Sequence, residues 1–236
     1  MRTSMALRRK VGPLEAITYK GDADAPTLVL FHGYGADGAD LAPIATELPL
    51  RNPINAAFPD GPLVLKIDGV ASGRAWFPID VEAIQKAQMS GKTVDWSQHE
   101  PKSLPAAREA AGEFLKALGV PWNKLILGGF SQGAMLAVDL ALRAPQTPLG
   151  LVILSGNLIN EKEWLKLAAN RKGMRFVQSH GTSDPILGYE GAKRLTGVLL
   201  QGGMTGELLT FEGGHGIPQG VIEEVAKYVE KITPAE

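Results

Sequence analysis

Short runs of consecutive apolar residues alternate along this chain with longer segments in which apolar residues recur every three or four positions. Consecutive apolar residues are typical of strands buried on both faces, and the longer spacing is typical of helices that cover a core. The predicted strands are residues 14–19, 27–31, 54–58, 125–127, 151–154, 175–179 and 207–211. The predicted helices are residues 40–48, 105–118, 132–143, 161–169, 190–200 and 221–231. This alternation predicts an α/β fold with a mostly parallel central sheet and helices on both faces.

In a sheet of this kind ligands bind beyond the carboxyl ends of the strands, so candidate functional residues should directly follow strands. The apolar run 125–127 meets this expectation, because it passes through Gly-Gly-Phe-Ser-Gln-Gly straight into an apolar helix. So sharp a reversal forces Ser131 into a strained conformation, for which Gly129 and Gly133 leave room. The sequence therefore predicts a nucleophilic serine, with the Gln132 amide at the helix start as an oxyanion donor.

A glycine-rich loop, His-Gly-Tyr-Gly-Ala-Asp-Gly, follows the predicted strand 27–31 and occupies residues 32–38. Its backbone amides are the natural source of a second oxyanion donor. His32 at its start is interpreted as a support for the shape of the loop. Glycine-rich loops also bind phosphates, but this one has neither the lysine of a P-loop nor the spaced glycines of a dinucleotide site. We therefore expect no cofactor.

An aspartate and a histidine each follow a predicted strand nearer the C-terminus. Enzymes with a nucleophile elbow carry their groups in the order serine, acid, histidine. Asp184 and His215 complete that order after Ser131, and no other histidine follows Asp184. These three are the predicted catalytic residues, with Glu212 left open as an alternative acid. His180, at the end of a predicted strand, is interpreted as a residue that shapes its loop.

Composition narrows the class of protein. A length of 236 residues with 44% hydrophobic side chains suits a single α/β domain spanning residues 1–236. Because 24 basic and 25 acidic side chains give a formal charge of −1, no nucleic-acid partner is expected. The sequence has no cysteine, which excludes disulfides and thiolate catalysis. No apolar stretch is long enough for stable membrane insertion, so a cytoplasmic location is expected. Monomer and homodimer both stay open.

Five motifs together resemble the phospholipase/carboxylesterase family of α/β-hydrolases, which includes small bacterial carboxylesterases and acyl-protein thioesterases. They are GFSQG at 129–133, HGYG at 32–35, RAWF at 74–77, HGTSDP at 180–185 and GGHGIP at 213–218. The resemblance implies an α/β-hydrolase fold and a Ser-Asp-His triad without a metal or organic cofactor. It also implies an oxyanion hole from the amides of Gln132 and Tyr34, and it places Trp76 and Phe77 near the substrate pocket.

Residues 80–103 follow the RAWF motif directly and mix polar side chains with a few apolar ones. Two interpretations stay open for this segment. It is either a solvated surface insertion or a cap over the carboxyl ends of the strands. In the second case Met89 and Trp96 are predicted to line the substrate pocket.

The sequence thus predicts a serine hydrolase that cleaves carboxylic esters through an acyl-enzyme, with acyl thioesters or lysophospholipids as related substrates. The expected partner is a small acyl ester or thioester. Two alternatives stay open. One is a ligand-binding protein that has lost turnover on a hydrolase fold, and the other is a hydrolase of another acyl bond, such as a lactone or a peptide.

Overall fold

The computed structural model describes residues 6–233. Its strands are β1 (Ala6–Val11), β2 (Leu14–Tyr19), β3 (Thr27–Phe31), β4 (Asn55–Pro59), β5 (Leu63–Ile67), β6 (Val70–Ala75), β7 (Leu125–Phe130), β8 (Gly150–Leu154), β9 (Arg175–Gly181) and β10 (Thr205–Phe211). Its α-helices are α1 (Gly38–Leu41), α2 (Ile44–Glu47), α3 (Val81–Met89), α4 (Leu104–Leu118), α5 (Gln132–Arg143), α6 (Glu161–Ala168), α7 (Tyr189–Gln201) and α8 (Gln219–Ile232). Short 3₁₀ turns lie at Trp122–Lys124 and Ala169–Arg171.

Eight of these strands form one sheet in the order β1-β2-β4-β3-β7-β8-β9-β10. The pairs β1–β2 and β2–β4 are antiparallel, and every pair from β4 to β10 is parallel. The mostly parallel sheet predicted from the sequence is therefore confirmed. Because the parallel strands run in one direction, the residues that follow β3, β7, β9 and β10 are brought to the same edge of the sheet.

The sheet separates two hydrophobic clusters, one on each face. Strand β3 shows the division, because Val29 and Phe31 belong to one cluster while Leu28 and Leu30 belong to the other. Helices α4, α5, α6 and α7 contribute to the first cluster, and α1, α2 and α8 contribute to the second. Both faces are thus covered by helices, which is why the central strands consist of uninterrupted apolar residues.

Several local predictions were wrong or incomplete. The single helix predicted for residues 40–48 is two short helices, α1 and α2, because Pro43 between them lacks an N–H and cannot continue α1. The edge strand β1, the hairpin of β5 and β6, and helix α3 were not predicted. Within residues 6–233, no helix combines the length and apolar character needed to cross a membrane.

Candidate active site

Ser131 occupies the turn between β7 and α5 with φ 55° and ψ −118°, a conformation that side-chain-bearing residues rarely adopt. A hydrogen bond from its N–H to the Leu154 carbonyl (2.9 Å) holds the turn against β8. Glycine is required on both sides, because a Cβ on Gly133 would overlap the Phe31 carbonyl and one on Gly129 would overlap the backbone of Gly133. The strained turn predicted for this motif is present.

Asp184 and His215 are joined by a short hydrogen bond, with 2.6 Å between His215 Nδ1 and Asp184 Oδ2. The bond fixes the proton on Nδ1 and leaves Nε2, on the other side of the ring, as the free base. The imidazole packs on the ring of Phe130, with 4.8 Å between the ring centres, so it lies beside the residue that precedes Ser131. Glu212, the alternative acid, is exposed.

The Asp184 carboxylate is buried and receives three hydrogen bonds. Oδ1 accepts from the amides of Ile186 (2.8 Å) and Leu187 (3.0 Å), and Oδ2 accepts from His215. His180 Nε2 lies 3.2 Å from the same Oδ2. Burial by itself raises the pKa of this carboxyl, but the neighbouring His180 N–H, the bond from His215, the positive charge that His215 carries when it is protonated, and the Leu187 amide outweigh burial. Together they hold the pKa of Asp184 well below its usual range, so the group is ionised.

His180 lies directly against the Asp184 carboxylate. Its Nε2 lies 2.6 Å from the Leu187 carbonyl as well as 3.2 Å from Asp184, and both partners are acceptors, so Nε2 carries the proton. The side chain has no exposed surface. His180 therefore ties the Asp184 carboxylate to the backbone of the following loop.

The glycine-rich loop after β3 is shaped by a second buried histidine. The Gly61 N–H donates to His32 Nε2 (2.8 Å), so Nε2 is unprotonated and Nδ1–H donates to the Gly33 carbonyl (2.7 Å). The Trp76 indole N–H donates to the His32 carbonyl (2.9 Å). Within the described residues 6–233, the Tyr34 N–H has no hydrogen-bond partner, which leaves it available to a ligand.

Backbone pairing ties this loop to the end of the β5–β6 hairpin. The Gly35 N–H donates to the Arg74 carbonyl (2.9 Å), and the Arg74 N–H donates to the Ala36 carbonyl (2.8 Å). The approach is so close that a Cβ on Gly73 would overlap the Gly35 carbonyl. Strand β6 therefore fixes the loop that carries the Tyr34 amide.

The side chain of Gln132 connects the same strand to the nucleophile turn. Its Oε1 accepts from the Trp76 N–H (2.9 Å), and its Nε2 donates to the Phe77 carbonyl (2.7 Å). Its backbone amide is the first of α5 and so has no partner within the helix. Gln132 thus supplies one candidate oxyanion amide from its backbone. Its side chain also holds residues 76–77, which directly follow the strand that fixes the loop carrying the Tyr34 amide. No local pattern in the sequence indicates these two side-chain hydrogen bonds.

A narrow apolar cavity opens beside Ser131. It is bounded by Tyr34 and Gln132, by Phe77, and by Ile84 and Trp96 from residues 80–103. It offers about 40 Å³ to the centres of water-sized groups. Other clefts in the described chain are larger, at about 400 to 530 Å³, but contain none of the predicted catalytic residues. The position beside the serine, rather than size, marks this cavity as the candidate substrate site.

Two of the predicted pocket residues are placed elsewhere. Met89 ends α3 with 90% of its surface exposed, because its side chain lies on the solvent side of that helix. Trp76 is 1% exposed and is not among the residues that line the cavity, since its indole is engaged by His32 behind the loop. Phe77 and Trp96 do line the cavity.

Ser155 is a further residue whose contact the sequence did not reveal. It follows β8 with φ 47°, is fully buried, and donates from Oγ to the Gly216 carbonyl (3.0 Å). Gly216 directly follows His215, so Ser155 anchors the loop that carries the histidine. Its position after a strand was the available signal.

Comparison with known proteins decides the family. The sequence profile of the phospholipase/carboxylesterase family matches residues 13–233. The chain belongs to this family. Its fold is accordingly the α/β-hydrolase fold, and its enzyme class is that of the carboxylesterase-type hydrolases, so both predictions made from the motifs are confirmed.

Similar sequences and solved structures agree with this assignment. Acyl-protein thioesterase 1 of Candida albicans is 26% identical over 227 residues, which are 92% of this chain and 96% of that protein. The structure of esterase PE8 superposes with a TM-score of 0.76 at 26% identity, covering 93% of this chain and 99% of the other. The Bacillus cereus carboxylesterase, at 19% identity and a TM-score of 0.71 over 93% and 95% of the two chains, shows the shared fold.

Proposed function

We propose that this protein hydrolyses carboxylic esters or acyl thioesters, with Ser131 as the nucleophile and Asp184 and His215 as the other members of the triad. The observation that carries the proposal is the 2.6 Å bond between Asp184 and His215, formed beside the strained Ser131 turn. The names of its relatives, acyl-protein thioesterase and carboxylesterase, support the same chemistry.

In the proposed reaction, His215 Nε2 takes the Ser131 hydroxyl proton as the oxygen attacks the acyl carbon. The amides of Gln132 and Tyr34 stabilise the oxyanion that develops on the acyl oxygen. The intermediate collapses when His215 returns the proton to the departing alcohol or thiol. Water then attacks the acyl-enzyme with His215 again as the base, and Asp184 stabilises the imidazolium in both steps.

We also propose that residues 80–103 form a cap over the acyl side of the site. Asp80 starts α3 by accepting from the Ala83 N–H (2.9 Å), and the segment then sends Ile84 and Trp96 inward. Both are nearly buried, at 9% and 6% exposed. A solvated surface insertion would not bury them over the nucleophile.

The test is covalent labelling with a fluorophosphonate probe, followed by peptide mapping and by turnover of p-nitrophenyl acetate. We expect the label on Ser131, because only an activated serine displaces fluoride at a useful rate. Ser131→Ala should lose the label and at least about 10⁴-fold of kcat, with an unchanged melting temperature. Normal turnover by Ser131→Ala would overturn the proposal.

The same experiment separates the rival functions. A binding protein on this fold would stay unlabelled and would turn over no ester. A lactone or peptide hydrolase would take the label at Ser131 but would prefer its own substrate class over simple esters and thioesters.

A further inference from the structure

The cavity beside Ser131 is small enough to limit the acyl group. The space that it offers to the centres of water-sized groups, about 40 Å³, is about a tenth of that in the other clefts. Its walls are packed side chains, including Phe77 and Ile84, and cores of this kind resist added methylenes. We therefore expect the cavity to accept short acyl groups in preference to long ones.

Trp96, one of the residues that line this cavity, has a buried indole N–H. Trp96 is 6% exposed, and its indole Nε1 is buried without a hydrogen-bond partner anywhere in residues 6–233. The other two deeply buried tryptophans are paired, Trp76 with the His32 carbonyl (2.9 Å) and Trp164 with Asp139 (3.0 Å). Buried indole N–H groups normally find an acceptor. The missing acceptor at Trp96 therefore needs an explanation.

The position of Trp96 can explain its missing acceptor, because Trp96 lines the cavity that the substrate would enter. We propose that the cavity receives a short acyl group that carries a hydrogen-bond acceptor beyond its carbonyl, a keto, hydroxyl or ether oxygen, to which Trp96 Nε1 donates. This rests on the proposed function, in which Ser131 carries the acyl group. A purely hydrocarbon acyl group would leave the indole N–H unpaired in a dry site, and a site built around a donor discriminates against such a substrate.

Matched substrates and one substitution test this. The p-nitrophenyl esters of methoxyacetate and butyrate differ by an oxygen in place of a methylene, and acetoacetate and isovalerate form a second pair with the acceptor placed elsewhere. Trp96→Phe removes the N–H and keeps the aromatic wall. Trp122→Phe makes the same substitution at a tryptophan that does not line this cavity and serves as the control. Comparing the ratio of kcat/KM within a pair between proteins cancels the intrinsic reactivity of the esters.

In at least one pair, we expect the preference for the acceptor-bearing ester to fall about tenfold in Trp96→Phe and to stay at the wild-type level in Trp122→Phe. Wild type should hydrolyse octanoate at least about a hundredfold more slowly than butyrate. Unchanged ratios for both pairs in Trp96→Phe, or octanoate turnover equal to that of butyrate, would overturn the proposal. Turnover of p-nitrophenyl acetate and labelling of Ser131 in wild type show separately whether the proposed function itself holds.

A second measurement does not depend on the folding of the variant. Wild type with isotope-labelled tryptophan is inactivated with phosphonates bearing a methoxymethyl or a propyl group. One of the four indole N–H resonances should move downfield with the first and not with the second. Identical spectra for the two adducts would count against a bond from Trp96.

Discussion

His32 and His180 are both fully buried, and each has one ring nitrogen fixed in its protonation state by its neighbours. They differ in what they support. His180 holds the carboxylate of Asp184, whereas His32 holds the loop that carries the Tyr34 amide. Because the Gly61 N–H points at His32 Nε2, a proton on that nitrogen would break the bond. His32 must therefore be neutral for the loop to keep its shape.

This requirement makes the stability depend on pH. Burial lowers the pKa of His32 from its ordinary value of 6.5, against smaller opposing effects of its bond to Gly33 and the charge of Asp60. As the pH falls below 6.5, the His32 imidazole becomes protonated in the unfolded chain but stays neutral in the folded protein. The free energy of unfolding therefore decreases. Above 6.5 the effect is absent. Below pH 6.5, His32→Gln should lower the slope of the unfolding free energy against pH by up to about 1.4 kcal/mol per pH unit. Urea unfolding at several pH values measures it, and equal slopes would contradict the assignment.

At the scale of elements, the nucleophile turn and the glycine-rich loop are held in register by a third element, the end of β6. Arg74 pairs with the loop, and Gln132 clamps Trp76 and Phe77 immediately after it. The distance between the Gln132 and Tyr34 amides therefore depends on the side chain of Gln132 itself.

Replacing that side chain should impair the reaction more than substrate binding. Gln132→Met keeps the volume but loses both hydrogen bonds, so the two amides are no longer held at a fixed separation. We expect kcat to fall about tenfold to a hundredfold with KM nearly unchanged. Gln219→Met, at an exposed glutamine, is the control and should behave as wild type. A variant whose KM rises while kcat is kept would show that Gln132 serves only binding.

The elements differ in how far the sequence alone could define them. Strand β3 was predictable because it is buried on both faces and reads as a continuous apolar run. Strand β1 was not, because it lies at the edge of the sheet and is mostly exposed and basic. The β5–β6 hairpin did have a usable signal, since Asp68 and Gly69 stand between apolar runs and both adopt positive φ.

The residues of the candidate site also differ in how far the sequence alone could predict them. The order of serine, aspartate and histidine was readable because each follows a strand, and parallel strands bring such positions to one edge. The clamp between Gln132 and Trp76 joins residues 56 positions apart, and no local pattern reports such a contact. Met89 and Trp96 could not be told apart either, because which side chain of residues 80–103 turns inward is decided by tertiary packing and not by the local sequence.

For the molecule as a whole, the three proposed triad residues follow β7, β9 and β10, which lie on one half of the sheet with β8 between them. Ser155, which directly follows β8, anchors the loop that carries His215 through its hydrogen bond to the Gly216 carbonyl. Four neighbouring parallel strands thus each contribute one residue to the arrangement. The half of the sheet from β7 to the edge strand β10, rather than the separate β5–β6 hairpin, therefore positions the proposed nucleophile, acid and base.

The strained backbone at Ser131 also bears on the thermal stability of the whole molecule. Ser131→Gly removes the strain of φ 55° and should stabilise the protein by about 1 kcal/mol after the greater entropy of the unfolded chain is subtracted. The melting temperature should rise about 2–4 °C. Ser155→Gly relieves a similar φ of 47° but loses the bond to Gly216, so it should bring no such gain. Calorimetry of both variants checks this, and a Ser131→Gly protein that melts below wild type would contradict it.

It follows that heat resistance and turnover favour different residues at position 131. A laboratory selection of random variants for survival at high temperature, without a test of ester cleavage, would enrich glycine there and lose the proposed nucleophile. A search for a more thermostable form of this enzyme therefore has to keep Ser131 unchanged, or assay ester cleavage at every round.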